Sequence, residues 1–251
     1  AAATPKPVTV EGGTYNGNAS NGIQVQTDGL ITLKKLQADG NGSSGVYLNN
    51  QNSPAKAGVT VASTMSNSNI SFNNNGGAGL YITSAGAIML TQINADQNSG
   101  SGAYLANDQA GSTAGVTVIN SHFRTNNSSL SGAGLFIQSY GNVLINNVES
   151  NSNGDDDTVG SGASIDNRET VGKAPKTVTI TNVYFSDNHG LGLDVASYGK
   201  ITLNEVDAND NQGTDHDGAH LDNHEAAAPQ AVLVSNSNFD RNYHSGLEIQ
   251  S

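Results

Sequence analysis

The chain has 251 residues, 22 Asp and Glu against 10 Lys and Arg, a formal net charge of −12, no Cys and no Trp. So acidic a chain has no footprint for a phosphate backbone, which excludes nucleic acid as a partner. Its longest apolar stretches, such as 85–90, are far too short for membrane insertion, and without Cys there is neither a disulfide framework nor a Cys-ligated zinc.

Only 13% of residues are charged, and Gly (30) and Asn (33) fill the gap, so order depends on whether the apolar residues fall at regular positions. Residues 1–7 read as an N-terminal linker. From Val8 a Gly-apolar-x-apolar motif recurs nine times, beginning at Gly22, Gly45, Gly79, Gly102, Gly134, Gly162, Gly192, Gly218 and Gly246. From Gly22 every second copy is 57, 55, 58 and 54 residues on, so the unit is a pair of coils of about 56 residues.

A second anchor accompanies each motif: an apolar residue followed eight positions later by Asn. It reads Val10 to Asn18, Leu33 to Asn41, Met65 to Asn73, Leu90 to Asn98, Val118 to Asn126, Ile145 to Asn153, Ile180 to Asn188, Leu203 to Asn211 and Val234 to Asn242. The fifth position after the anchor alternates large with small: Tyr15, Ala38, Ile70, Ala95, Phe123, Ser150, Phe185, Ala208, Phe239. If coils stack, each bulky side chain meets a small one, which fills an interior at native density. Short strands separated by Gly, Asn and Ser, stacked at about 4.8 Å, predict an all-β parallel β-helix solenoid of about nine to ten coils. The repeated Asn predicts a ladder of side-chain amides at a bend where left-handed backbone is tolerated. Longer connections leave every second coil, as in Leu48 to Met65 and Leu105 to Val118, and predict one ridge of loops.

Segments such as Ile-Thr-Asn-Val-Tyr-Phe-Ser-Asp-Asn at 180–188, followed by Gly-Leu-Gly-Leu-Asp-Val at 190–195, resemble the right-handed parallel β-helix, or pectin-lyase-like, superfamily over the whole of 8–251. The resemblance implies a right-handed coil and one β-helix domain, and it says little about function. Hydrolases of this shape similar to polygalacturonases carry an Asn-Thr-Asp, a paired Asp, a Gly-His-Gly and an Arg-x-Lys on successive strands. This chain has Asp217 before Gly218 and His189 before Gly190, and lacks the remaining elements. Similar lyases use an Arg or Lys base, and the Gly-apolar strands here contain none.

The x of the motif points outward and gives the column Gln24, Tyr47, Tyr81, Tyr104, Phe136, Ser164, Asp194, His220, Glu248. Tyr47, Tyr81, Tyr104 and Phe136 make an aromatic stripe, suited to stacking on the sugar rings of a polysaccharide or cell-surface glycan. The same stripe serves equally as cross-strand support for the sheet. Toward the C-terminus Asp194, Asp217, Asp222 and Glu248 gather near one strand face, the candidates for acid/base work on a glycosidic bond. Asp155, Asp156, Asp157, Asp215 and Asp217 are the candidates for a Ca²⁺ site built from oxygen ligands. These acids also have a plainer use, keeping a repetitive surface soluble. His216, His220 and His224 would share a face on a helix, but the strand pattern scatters them.

The two ends show no capping helix, which predicts a segment of a longer chain or end-to-end self-association. The sequence therefore points to a non-catalytic extracellular or cell-surface scaffold, a stalk, adhesin or filament module, presenting a repetitive face to glycans or neighbouring subunits. The competing expectation is a carbohydrate-active enzyme resembling a glycoside hydrolase, and a third is a Ca²⁺-dependent adhesive module.

Overall fold

A Val-Thr-Val or Ile-Thr-Leu triplet has two branched side chains on one face and a polar one on the other, and nothing in it favours a helix. In the computed structural model, which describes residues 5–63, 70–109, 112–127, 132–155, 158–168, 175–212 and 217–251, such triplets become short strands, with no helix among the described residues.

Nine of these strands form a parallel ladder in the order Val8–Glu11, Ile31–Lys34, Val59–Ala62, Ile88–Thr91, Val116–His122, Val143–Glu149, Val178–Tyr184, Ile201–Asp207 and Val232–Ser235. This is the first sheet. Alternating with them along the chain, Ile23–Gln26, Val46–Asn50, Leu80–Ser84, Ala103–Asn107, Gly132–Ser139, Thr158–Asn167, Leu193–Ser197, Ala219–Asp222 and Leu247–Gln250 form the second. Two long parallel sheets whose strands interleave in sequence are consistent with a β-helix or solenoid. Inward residues of both, among them Ile31, Leu33, Leu80 and Ile82, are buried in one continuous core, and those nearer the two ends, such as Val10 and Val234, are half-buried against it. Of the expected linker, residues 1–4 lie outside the described residues, and the Lys6 carbonyl lies where a Cβ on Gly29 would collide with it.

The amide ladder is present, with one correction. From Asn18 through Asn41, Asn75, Asn98, Asn126, Asn153, Asn188 and Asn211 to Asn242, each side chain donates from Nδ2 to Oδ1 of the next at 2.8–3.2 Å. The backbone N–H of each donates to the same oxygen. Asn75 takes the rung expected of Asn73. The cause is a misplaced anchor: Val61, in register with Leu33 and Leu90, holds the inward position assigned to Met65, which lies outside the described residues. The extra length in this coil therefore follows the first-sheet strand, and Leu48 to Val61 is 13 residues, like Leu105 to Val118.

The same shift moves the alternating column. Phe72, not Ile70, stands between Ala38 and Ala95; Ile70 pairs with Ile93 one column away. Backbone bonds from Ala38, Phe72, Ala95, Phe123, Ser150, Phe185 and Ala208 to the coil above are all 2.7–2.9 Å, so the large and small residues do lie over one another. Phe72, Phe123 and Phe185 are among the largest fully buried side chains. Asn73 instead joins an outer ladder, accepting the Asp96 amide while its own amide donates to Asp39.

The left-handed residue at this bend is the one before each ladder Asn. Gly17, Gly40, Asn74, Gln97, Thr125, Ser152, Asp187, Asp210 and Arg241 all have φ between 53° and 66°.

Candidate functional site

The second sheet sets the outward columns. Its register runs Gln24, Tyr47, Tyr81, Tyr104, Phe136, Ser164, Asp194, His220, Glu248, as the motif spacing predicts. The four aromatic rings stack on one another, with centroids 5.4, 4.5 and 5.0 Å apart and planes within 11° of parallel. Tyr81 and Tyr104 thus have a ring on either face, and what they turn to solvent is an edge and a hydroxyl. Tyr104 donates that hydroxyl to Gln138 Oε1 at 3.0 Å. Burial raises the Tyr104 phenol above its ordinary value, with Tyr81 and Asp108 adding to it. The stripe's geometry serves the sheet directly, and free ring faces for a sugar are left at its two ends.

The C-terminal end of the same face holds the acids, and each candidate Asp there is engaged by a His. Asp194 Oδ1 lies 2.9 Å from His220 Nδ1, one rung on in the column. Asp222 Oδ1 lies 2.6 Å from His224 Nδ1 and accepts the His224 backbone N–H. Asp217 Oδ1 lies 2.7 Å from His244 Nδ1 and accepts the Ser245 amide at 2.8 Å. Burial pushes the Asp217 carboxyl up, but the His244 ring, the Ser245 amide and Glu248 outweigh it and hold the group below the ordinary Asp value. At Asp222 burial is likewise outweighed, by the ring and backbone of His224 with His220 behind them. Both shifts run against what a general acid needs, a proton retained near neutral pH.

Strand register brings Glu248 beside His220. Asp217, 4% exposed, His244 and Glu248 each turn a donor atom to within 4.8 Å of the others. Asp155 sits elsewhere, in a short antiparallel pair with Thr158, and accepts from the Asn127 amide. Asp156, Asp157, Asp215 and His216 lie outside the described residues. Beside the acids, Asp166 is forked by Arg168, whose guanidinium is raised first by that bond.

Two of the three His partners escape a sequence reading, since no common offset relates the pairs. His220 and Asp194 are 26 residues apart, His244 and Asp217 27, His224 and Asp222 two. The first was legible once Asp194 and His220 were placed in one column; the other two arise at turns, where no periodicity operates. A further polar row lies outside the Gly-apolar motif. At the end of the second-sheet strands Thr27, Asn50, Ser84, Asn107, Ser139, Asn167, Ser197 and Asn223 alternate. Each Thr or Ser hydroxyl accepts the amide two residues on, closing a tight turn. Asn50, Asn107 and Asn223 instead donate from Nδ2 to the carbonyl seven residues on, across the mouth of a longer loop.

The chain matches no protein-family model, no curated protein and no solved structure.

Proposed function

We propose that the chain is a non-catalytic structural or adhesive module, a right-handed parallel β-helix of about nine to ten coils resembling the pectin-lyase-like superfamily. In this reading it works outside the cell or on its surface, as part of a stalk, adhesin or filament, and presents a repetitive face to glycans or to neighbouring molecules. The observation that carries it is the unbroken register of nine strands in each sheet, which turns every outward position into a column. Side chains on this face are spent on one another: the aromatic rings stack, and Asp194, Asp217 and Asp222 are held by His.

One observation favours the alternative, a glycoside hydrolase-like enzyme: Asp217, buried, and Glu248, half-buried, bring carboxylate oxygens within 4.8 Å of each other. Incubation with a panel of neutral and acidic polysaccharides separates the two. The structural reading expects no new reducing ends, with protein retained on one or more insoluble glycans or on immobilised copies of itself. Turnover that Asp217→Asn abolishes would replace it with the enzymatic one.

A further inference from the structure

We propose that Asp217, His244 and Glu248 form a binding site for a divalent transition-metal ion of the zinc class, which clips two successive strands of the second sheet together. This goes beyond the structural reading above and stands or falls without it, since no glycan enters the argument.

The site is built by the backbone. Asp217 precedes the strand Ala219–Asp222, while His244 and Glu248 flank the start of the neighbouring strand Leu247–Gln250. The bonds Gly218 N to Ser245 O at 2.9 Å and Ala219 N to Gly246 O at 3.0 Å fix those two segments side by side. All three donor atoms already lie within 4.8 Å of one another. A tetrahedral ion with bonds of about 2.0–2.2 Å needs them roughly 3.4 Å apart, a closure within reach of side-chain rotation. The Ser245 amide, bonded to Asp217 Oδ1, orients the carboxylate as an outer-shell donor does in metal centres.

Charge argues the same way. The Asp217 side chain is 6% exposed and shares its surroundings with the Glu248 carboxylate, in a chain of net charge −12. Among the described residues neither acid pairs with a Lys or Arg, and a divalent ion would bring a positive charge between them. The donor set decides which ion: an imidazole with two carboxylates suits zinc and its neighbours, whereas Ca²⁺ takes six to eight oxygens. The other Asp–His pairs on this face, Asp194 with His220 and Asp222 with His224, belong to no such trio among the described residues.

The test is calorimetric titration of the chelator-stripped full chain with zinc and, separately, with calcium, alongside thermal melts. The expected result is one tight zinc site per chain, with a midpoint rise of about 5 °C at zinc a hundredfold above Kd. His244→Gln and Glu248→Gln are each expected to weaken zinc about tenfold or more, and His224→Gln to leave that site unchanged. Melts of His244→Gln and Glu248→Gln without metal report the fold separately, so that zinc binding is compared only between folded chains. Zinc affinity unchanged in His244→Gln, calcium bound as tightly as zinc, or no zinc binding by the folded chain would each overturn the proposal.

Discussion

Two residue types keep the bends in place. A left-handed backbone costs an ordinary L-residue about 1–2 kcal/mol, yet Gln97, Thr125, Ser152, Asp187 and Arg241 all accept it. What holds them is the next residue, the ladder Asn, whose amide nitrogen and oxygen are both spent on neighbouring coils. The Gly of each strand motif gives that ladder room: a Cβ on Gly102 would lie 2.8 Å from Asn126 Nδ2 and 2.7 Å from the Gly134 carbonyl. Asn98→Ala would strand the backbone N–H and the Nδ2 of Asn75, both buried, and is expected to cost about 2–4 kcal/mol in denaturant unfolding. Protonation acts on the same scale. The Asp222 carboxyl is lowered in the folded state below the ordinary 3.8. Its contribution to stability is therefore complete above that value and is lost as pH falls through the lower folded-state value. Melting midpoints followed from pH 7 to pH 2 should fall less steeply at the acid end in Asp222→Asn than in the parent.

At the scale of elements, the aromatic column shows how a strand face can be its own ligand. Each parallel contact between Tyr47, Tyr81, Tyr104 and Phe136 is of a geometry worth about 0.5–1.5 kcal/mol beyond burial. A double-mutant cycle of Tyr81→Leu and Tyr104→Leu is expected to return a coupling in that range, and additivity would show the stack to be incidental. These strands were legible because their period of two is strict and Gly marks their start, so all nine outward positions fall where the motif puts them. The Met65 anchor failed for a physical reason. Eight residues separate anchor and Asn in the other coils, but 14 separate Val61 from Asn75, and Met65 with Asn73 satisfied the spacing by coincidence inside an insertion. The His partners of Asp217 and Asp222 lie at turns, where contacts come from three-dimensional closeness and no repeat announces them.

Across the whole molecule the two sheets repeat at one spacing while the connections between them follow two rules. From the strand-end polar residue to the next first-sheet strand is four residues after Thr27, Ser84, Ser139 and Ser197, and nine, nine, eleven and nine after Asn50, Asn107, Asn167 and Asn223. The short turns have no slack, since a Cβ on Gly86, Gly141 or Gly199 would strike the backbone of the long loop one coil earlier. The long loops after Asn50, Asn107 and Asn223 are closed at their base by an Asn amide that takes no account of what lies between. The molecule is thus a comb: its teeth stand on every second coil, about 10 Å apart, and their length is free while their pitch is not. Extra residues placed between the exposed Ala227 and Ala228 should cost only the slow logarithmic entropy of a longer loop, leaving the melting midpoint nearly unchanged. A single residue added at Tyr140 should lower it sharply, so that the teeth can change in length and the spine cannot.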